Sequence, residues 1–285
     1  MTAQYVGLLY GLVLAFSPIL PAAAADEVLR LGIRVDAPPF SSRVETAHSG
    51  AKFDEMYTGF SVSLCSEVVQ RMKWDTPDLR VEVIPVTAQT RFPKEPQQYP
   101  TWDLLCDPTS VTLLRFDWCR YSFPYFVTGI AYATHDSATN PENLGGQLVA
   151  LVGKTTTDSG LKLEWSHLYG TPPEFVVKDN YEEAVLALKE GEVKAVFGDQ
   201  ILLQDALEKA SMSVESYMSS DILSIELYSF CVNSARPNVL TVVNVTLADL
   251  YRSGKIIELL GESFDGRGAN RLLSTLYRLY AVPEK

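Results

Sequence analysis

Between Val28 and Val86 the chain reads as strand, amphipathic helix, strand, and this alternation restricts the fold more than any other feature. Val28–Arg34 (Val-Leu-Arg-Leu-Gly-Ile-Arg) and Arg80–Val86 (Arg-Val-Glu-Val-Ile-Pro-Val) have strand-like apolar patterns, and residues 59–72 place apolar side chains at helical spacing. A strand-helix-strand unit implies parallel pairing, with the helix laid over one face of the sheet. The second half repeats the alternation: Tyr181–Lys189 predicts a helix, and residues 195–197 a short buried strand that ends at Asp199. Two α/β lobes follow, each a mostly parallel sheet flanked by helices. Residues 126–133 and 222–232 are apolar strands long enough to pass from one lobe to the other. Two passages make one lobe an insertion in its neighbour, so residues 26–128 and 228–285 are expected to form the first lobe and residues 129–227 the second. Helices are also expected over 241–260 and 270–280, the latter packing through Leu272, Leu273, Leu276 and Tyr280. Pro93, Pro96 and Pro100 mark 92–101 as a loop.

Residues 1–25 contain no charged side chain, run apolar from Val6 to Leu20 and end in an Ala23-x-Ala25 pattern before Asp26. This reads as a secretory signal, although its first residues lack Lys or Arg, and it predicts a periplasmic protein. The apolar run is shorter than the ~20 residues that span a bilayer, and no cysteine stands near the cleavage pattern to carry a lipid. The formal charge of −11 lies wholly beyond that segment; it disfavours nucleic acid and anionic membrane as partners. Four cysteines (Cys65, Cys106, Cys119 and Cys231) in an exported chain point to disulfides, with three complete pairings open. The histidines His48, His135 and His167 are scattered and there is no Cys-x-x-Cys, so no metal site is expected. No Gly-x-Ser-x-Gly, Cys/His nucleophile pair or phosphate loop appears either, and neither a cofactor nor catalysis is expected.

The run from Asp103 to Tyr125 carries the most chemistry: Asp-Leu-Leu-Cys-Asp-Pro-Thr-Ser-Val-Thr-Leu-Leu-Arg-Phe-Asp-Trp-Cys-Arg-Tyr-Ser-Phe-Pro-Tyr. It predicts a strand, a hydroxyl-rich turn, a helix start and a second strand. Thr109, Ser110 and Thr112 are spaced so that one hydroxyl caps the helix while another faces outward, with Arg115 on the first turn. Backbone amides, a helix dipole and a guanidinium would then converge on a space the size of a carboxylate. The same spacing also suits a plain capped surface helix with a solvated arginine.

Further motifs stand in a definite order. Pro39-Phe40 follows the first strand, Gly59-Phe60 opens the first helix, Asp103 precedes Arg115 by twelve residues, and Ser122-x-Pro124-Tyr125, Thr155-Thr156 and Asp199 come in turn. In that order and spacing, from Leu29 to about Phe264, the chain resembles the solute-binding proteins of polar amino-acid ABC transporters, the type II periplasmic binding fold with two lobes and a ligand cleft. Gly32-x-Arg34, running on to Pro39-Phe40, and Ile84-Pro85-Val86-Thr87-Ala88-Gln89-Thr90-Arg91 are most similar to the glutamate/aspartate-binding members.

The resemblance implies roles residue by residue. Arg115 with Thr109 and Ser110 would clamp the ligand's α-carboxylate, Thr155, Thr156 and Thr157 would close on it from the second lobe, and Asp199 would accept the α-ammonium. Arg34 and Arg91 would hold a distal carboxylate beside Phe40, giving three arginines for two ligand carboxylates and hence an acidic ligand. Disulfide pairing of Cys106 with Cys231 on neighbouring strands, and with it Cys65 with Cys119, is also implied. So are a monomer, an amino-acid ligand and a permease partner. The chain departs from the subfamily at Ala88 and Pro108, which replace serines, at Asn180, which replaces His, and at Asp107 and Lys154, which replace glycines; a modified ligand therefore stays open. Rivals on the same fold are a cyclohexadienyl-dehydratase-like enzyme, with Asp107, Glu164 or Asp179 as the acid, and a periplasmic ligand sensor.

Overall fold

The computed structural model describes residues 27–48, 50–95, 98–136, 139–266 and 268–283; the signal segment expected at 1–25 lies outside them. The amino-terminal half contains strands β1 (Val28–Arg34), β2 (Asp36–Ala37) and β3 (Ser41–Arg43), helix α1 (Phe53–Met56), strand β4 (Tyr57–Thr58), helix α2 (Phe60–Asp75), and strands β5 (Arg80–Val86), β6 (Leu104–Cys106) and β7 (Cys119–Thr128). There follow β8 (Ile130–Thr134), β9 (Leu148–Val152), α3 (Lys162–Leu168), β10 (Glu174–Lys178), α4 (Tyr181–Lys189), β11 (Ala195–Asp199), α5 (Gln200–Lys209) and α6 (Val214–Tyr217). The chain ends with β12 (Glu226–Asn233), α7 (Pro237–Ser253), α8 (Lys255–Ser263) and α9 (Arg271–Tyr280).

These strands form two main sheets. One has the order β5-β1-β6-β12-β7 and the other β10-β9-β11-β8, while β2, β3 and β4 make a small antiparallel ribbon. β1 lies parallel to both β5 and β6, as the strand-helix-strand pattern requires, and β9 lies parallel to β10 and β11. The strands that follow the passages between sheets, β8 and β12, pair antiparallel. α2 covers the first sheet by burying Phe60, Val62, Leu64, Cys65, Val68 and Val69 on one stripe. Its start requires a glycine: Gly59 has φ 118°, and a Cβ there would meet the Phe40 carbonyl at 2.5 Å. On the same face, Tyr251 of α7 and Tyr277 of α9 donate hydroxyl hydrogen bonds to the carbonyls of Pro124 and Tyr125 on β7.

The passages are not continuous strands. Residues 126–133 break at Gly129, where β7 of one sheet hands over to β8 of the other. A side chain there would drive a Cβ to within 1.9 Å of the Ser224 carbonyl oxygen, because the two passages run side by side. The second passage becomes a strand only at Glu226; residues 222–225 precede it without strand pairing. The terminal helix also differs from expectation in its facing: Leu273, Leu276 and Tyr277 are buried, whereas Leu272 is exposed.

The disulfides correct the pairing carried over from the resemblance. Cys65 is bonded to Cys106 and Cys119 to Cys231, with Cα separations of 6.2 and 5.4 Å. Cys106 and Cys231 do lie on neighbouring strands, but Cys231 stands opposite Leu105, one residue away. Successive residues point to opposite faces of a sheet. Cys106 therefore faces α2 and finds Cys65, while Cys231 shares the other face with Trp102, Leu105 and Cys119.

Candidate functional site

The first wall of the site is the turn after β6. Residues 114–117 form one 3₁₀ turn rather than the helix expected there, and the Thr112 hydroxyl accepts the Arg115 amide at 3.4 Å. A single turn has no substantial dipole, so Arg115 itself carries the positive charge. Its guanidinium donates to the Ser110 carbonyl at 2.7 Å and lies 5.2 Å from the Phe92 ring centre, with Trp118 stacked on that ring at 5.3 Å. Arg115 is only 6% exposed, yet among the described residues no carboxylate lies within ion-pair distance of it. Burial, and then Arg91 nearby, push its pKa down to about 10, so it remains a cation at neutral pH.

Across from it stands the turn after β9. Thr155 bonds the Val152 carbonyl at 2.7 Å and receives the Asp158 amide, Thr157 is buried, and Lys154 is exposed in the left-handed region at φ 60°. Arg115, Phe92, Trp118, Lys154, Thr155 and Thr156 line one cavity of about 580 Å³. Residues from both sheets' loops thus face a single space.

Glu226 ties the two walls together. Its Oε2 accepts the Ser110 hydroxyl from one side and the Thr156 hydroxyl, at 2.9 Å, from the other. Sequence reasoning missed it, although it is the lone charged residue in the apolar run 222–232. Asp199 lies nearby at the end of β11, accepting from the Thr128 hydroxyl at 2.9 Å and from the Ile201 amide. Burial first, and then Glu226, raise its pKa to about 7, against hydrogen bonds from Tyr228 and Thr128 that hold it down. The Gln89 side chain adds a further link between the walls, donating to the Asp179 carbonyl at 2.7 Å.

The deepest group is Arg34, Arg91 and Asp107, at 1%, 3% and 0% exposure. Arg91 Nη1 meets Asp107 Oδ2 at 2.5 Å, Arg34 Nη1 lies 3.8 Å from Asp107 Oδ1, and Arg34 Nε bonds Asp36 at 2.7 Å. Thr109 donates to the same Oδ2 at 3.1 Å, and the Tyr125 hydroxyl bonds the Asp107 carbonyl. Burial alone would push the Arg34 pKa down; Asp107 and Asp36 outweigh it and hold the pKa above its ordinary value. The expected count of three arginines for two ligand carboxylates must therefore also take in Asp36 and Asp107, which already pair with Arg34 and Arg91.

Two other expected residues lie elsewhere. Phe40 is fully buried in the core, packed edge-on against Phe126, Tyr228 and Phe264. Asn180 caps α4 by accepting the Glu183 amide at 2.8 Å, and it lines a different cavity with Asp36, Arg43 and Lys209. The Pro39-Phe40 motif thus serves folding, where the sequence pattern reads equally as a contact.

Residues 29–265 match the family model described as bacterial extracellular solute-binding proteins, family 3. A glutamate/aspartate import solute-binding protein of Salmonella typhimurium is 24% identical over 241 residues, spanning 83% of this chain and 76% of the relative. Among solved structures, a mutant of ArgBP from T. maritima is 25% identical with a TM-score of 0.65, covering 84% of this chain and 95% of that one. An ancestral amino acid-binding protein, a precursor of cyclohexadienyl dehydratase, has a TM-score of 0.64 at 20% identity, over 83% of this chain and 95% of that one.

Proposed function

The chain belongs to the bacterial extracellular solute-binding proteins, family 3, and from that premise we propose that its cleft binds a free α-amino acid and hands it to the permease of an ABC transporter. The observation that carries this reading is Arg115, a buried cation on the cavity wall with no ion-pair partner among the described residues. A buried charge without a partner is costly, and a ligand carboxylate supplies the partner, with the 155–157 turn closing from the far side. Asp199 and Glu226 are the acceptors for the ammonium group.

Transport requires that the bound form differ from the free form. Here the ligand touches the loops of both sheets, so it stabilises closure about the two passages beside Gly129. The lobe that moves corresponds to residues 129–227, and the protein works as a periplasmic monomer. A thermal-shift screen of the ligand-free protein against the standard amino acids tests the reading: a ligand at a hundred times its Kd raises stability by about 2.7 kcal/mol. No shift with any of them would sink it.

A second reading, in which the ligand is acidic, is supported by the likeness to glutamate/aspartate import proteins; a distal carboxylate would then share Arg34 and Arg91 with Asp107. Catalysis of the dehydratase type is disfavoured because Asp107 is engaged by Arg91 and Thr109, and Glu164 and Asp179 are exposed. Recovering the ligand unchanged after incubation tests this.

A further inference from the structure

Behind the Phe92 wall of the cavity lies an unusual set of unpartnered atoms. Among the described residues, Arg34 Nη2, Arg91 Nε and Asp107 Oδ1 are buried without a hydrogen-bond partner. They belong to one group, since Asp107 is paired with both arginines. Buried donors and acceptors are nearly always satisfied, and each one that is not costs stability. Arg91 and Arg115 flank the same Phe92 ring, with guanidinium carbons 5.5 and 5.2 Å from its centre. The group thus adjoins the cavity wall that Arg115 and Phe92 line, next to the place where a ligand anchored on Arg115 would carry its side chain.

We propose that Asp107 is the specificity-determining residue of this cleft, and that it selects an α-amino acid whose side chain ends in a carboxamide, such as glutamine, over the corresponding acid. The inference rests on the amino-acid reading above and adds the ligand class to it.

The atoms decide among ligand types. Two guanidinium N–H groups need an acceptor and one carboxylate oxygen needs a donor. A carboxamide supplies both, its carbonyl accepting from Arg34 Nη2 or Arg91 Nε and its NH₂ donating to Asp107 Oδ1. A carboxylate meets the two donors but turns a lone pair on Asp107 Oδ1. It also adds a negative charge to a group in which Asp36 and Asp107 already balance Arg34 and Arg91. A cationic side chain satisfies Oδ1 and leaves both N–H donors facing another positive charge. The specificity is thus a rejection of the acid as much as a fit to the amide.

Isothermal calorimetry of the ligand-free protein with glutamine, glutamate and arginine tests the proposal, repeated on Asp107→Asn and Asp107→Gly once their thermal melting transitions have been recorded. Glutamine should bind the parent at least about tenfold more tightly than glutamate, the size expected of one mismatched buried polar group. Both variants should move the preference towards glutamate, because they free the two arginines. Glutamate binding the parent as tightly as glutamine, arginine binding tightest, or a ratio unchanged in a folded Asp107→Asn would each overturn the inference while leaving amino-acid binding intact. If the parent binds none of the standard amino acids, the underlying reading itself falls. Should neither variant fold, the order of affinities in the parent decides alone.

Discussion

Thr128, the last residue of β7, donates its hydroxyl to the Asp199 carboxylate at the end of β11, 2.9 Å away, and so joins the two sheets where the chain passes between them. Thr128 and Asp199 belong to different sheets, so this bond responds to any change in how they meet.

The charge on Asp199 therefore depends on pH and on ligand. Burial, with Glu226 next in effect, raises its pKa from 3.8 to about 7, so the folded ligand-free protein keeps a proton that the unfolded chain loses. This group's contribution to stability is fully present below about pH 4 and is lost as pH rises through about 7. A ligand ammonium reverses the preference, so amino-acid affinity should rise between pH 5 and 7.5 and level off above. Calorimetry across that range on the parent and on Asp199→Asn checks it; an equal pH slope in both proteins would remove Asp199 from the ammonium site.

Arg115→Met should separate stability from binding. The change removes a buried cation that has no ion pair among the described residues, so the melting temperature without ligand should hold or rise. Amino-acid binding should fall by about 2 to 5 kcal/mol, the usual loss when one member of a buried charge pair is removed. A variant whose melting temperature still rises normally on adding ligand would show that Arg115 is not the carboxylate anchor.

Glu226→Gln should loosen the free protein. The carboxylate receives hydroxyls from Ser110 and Thr156 on opposite walls, and charged hydrogen bonds contribute about 1.5 to 3 kcal/mol each where neutral ones give about 1. Small-angle scattering of the ligand-free variant is expected to give a larger radius of gyration than the parent. Identical scattering curves would mean that other contacts hold the walls together.

Peptide mapping without reduction should recover Cys65 linked to Cys106 and Cys119 linked to Cys231. The second bond closes a loop spanning 112 residues, and a loop of that order restricts the unfolded chain by about 4.7 kcal/mol in the chain-entropy model. Replacing both Cys119 and Cys231 by Ser should accordingly lower stability more than replacing Cys65 and Cys106, whose separation is 41. The reverse order in denaturant unfolding would contradict this.

Much of the fold was legible along the chain because it depends on local spacing. The pattern of β1, α2 and β5 was readable from period alone, and α4 falls on Tyr181–Lys189 as expected. Arg115 stood out by its spacing from the hydroxyls of Thr109, Ser110 and Thr112, whereas Thr155 and Asp199 were marked only by the family resemblance. Phe40 did not separate itself from a ligand contact, since a motif gives no indication of which aromatic rings will close around it. Glu226 was passed over because its partners, Ser110 and Thr156, lie 116 and 70 residues away.

The sequence by itself determined two α/β sheets, their helices and a cluster of arginines and hydroxyls on loops. Only the tertiary structure decided which of those charges are free. Strand register is set by pairing across the sheet, and a one-residue offset puts a side chain on the other face; that offset gave Cys231 to Cys119 and Cys106 to Cys65. The site follows the same logic. Arg34, Arg91 and Arg115 look alike in sequence, but Asp107 pairs with the first two, and among the described residues no carboxylate pairs with the third. Charge balance in a buried space is a property of neighbours in three dimensions, and no spacing along the chain encodes it.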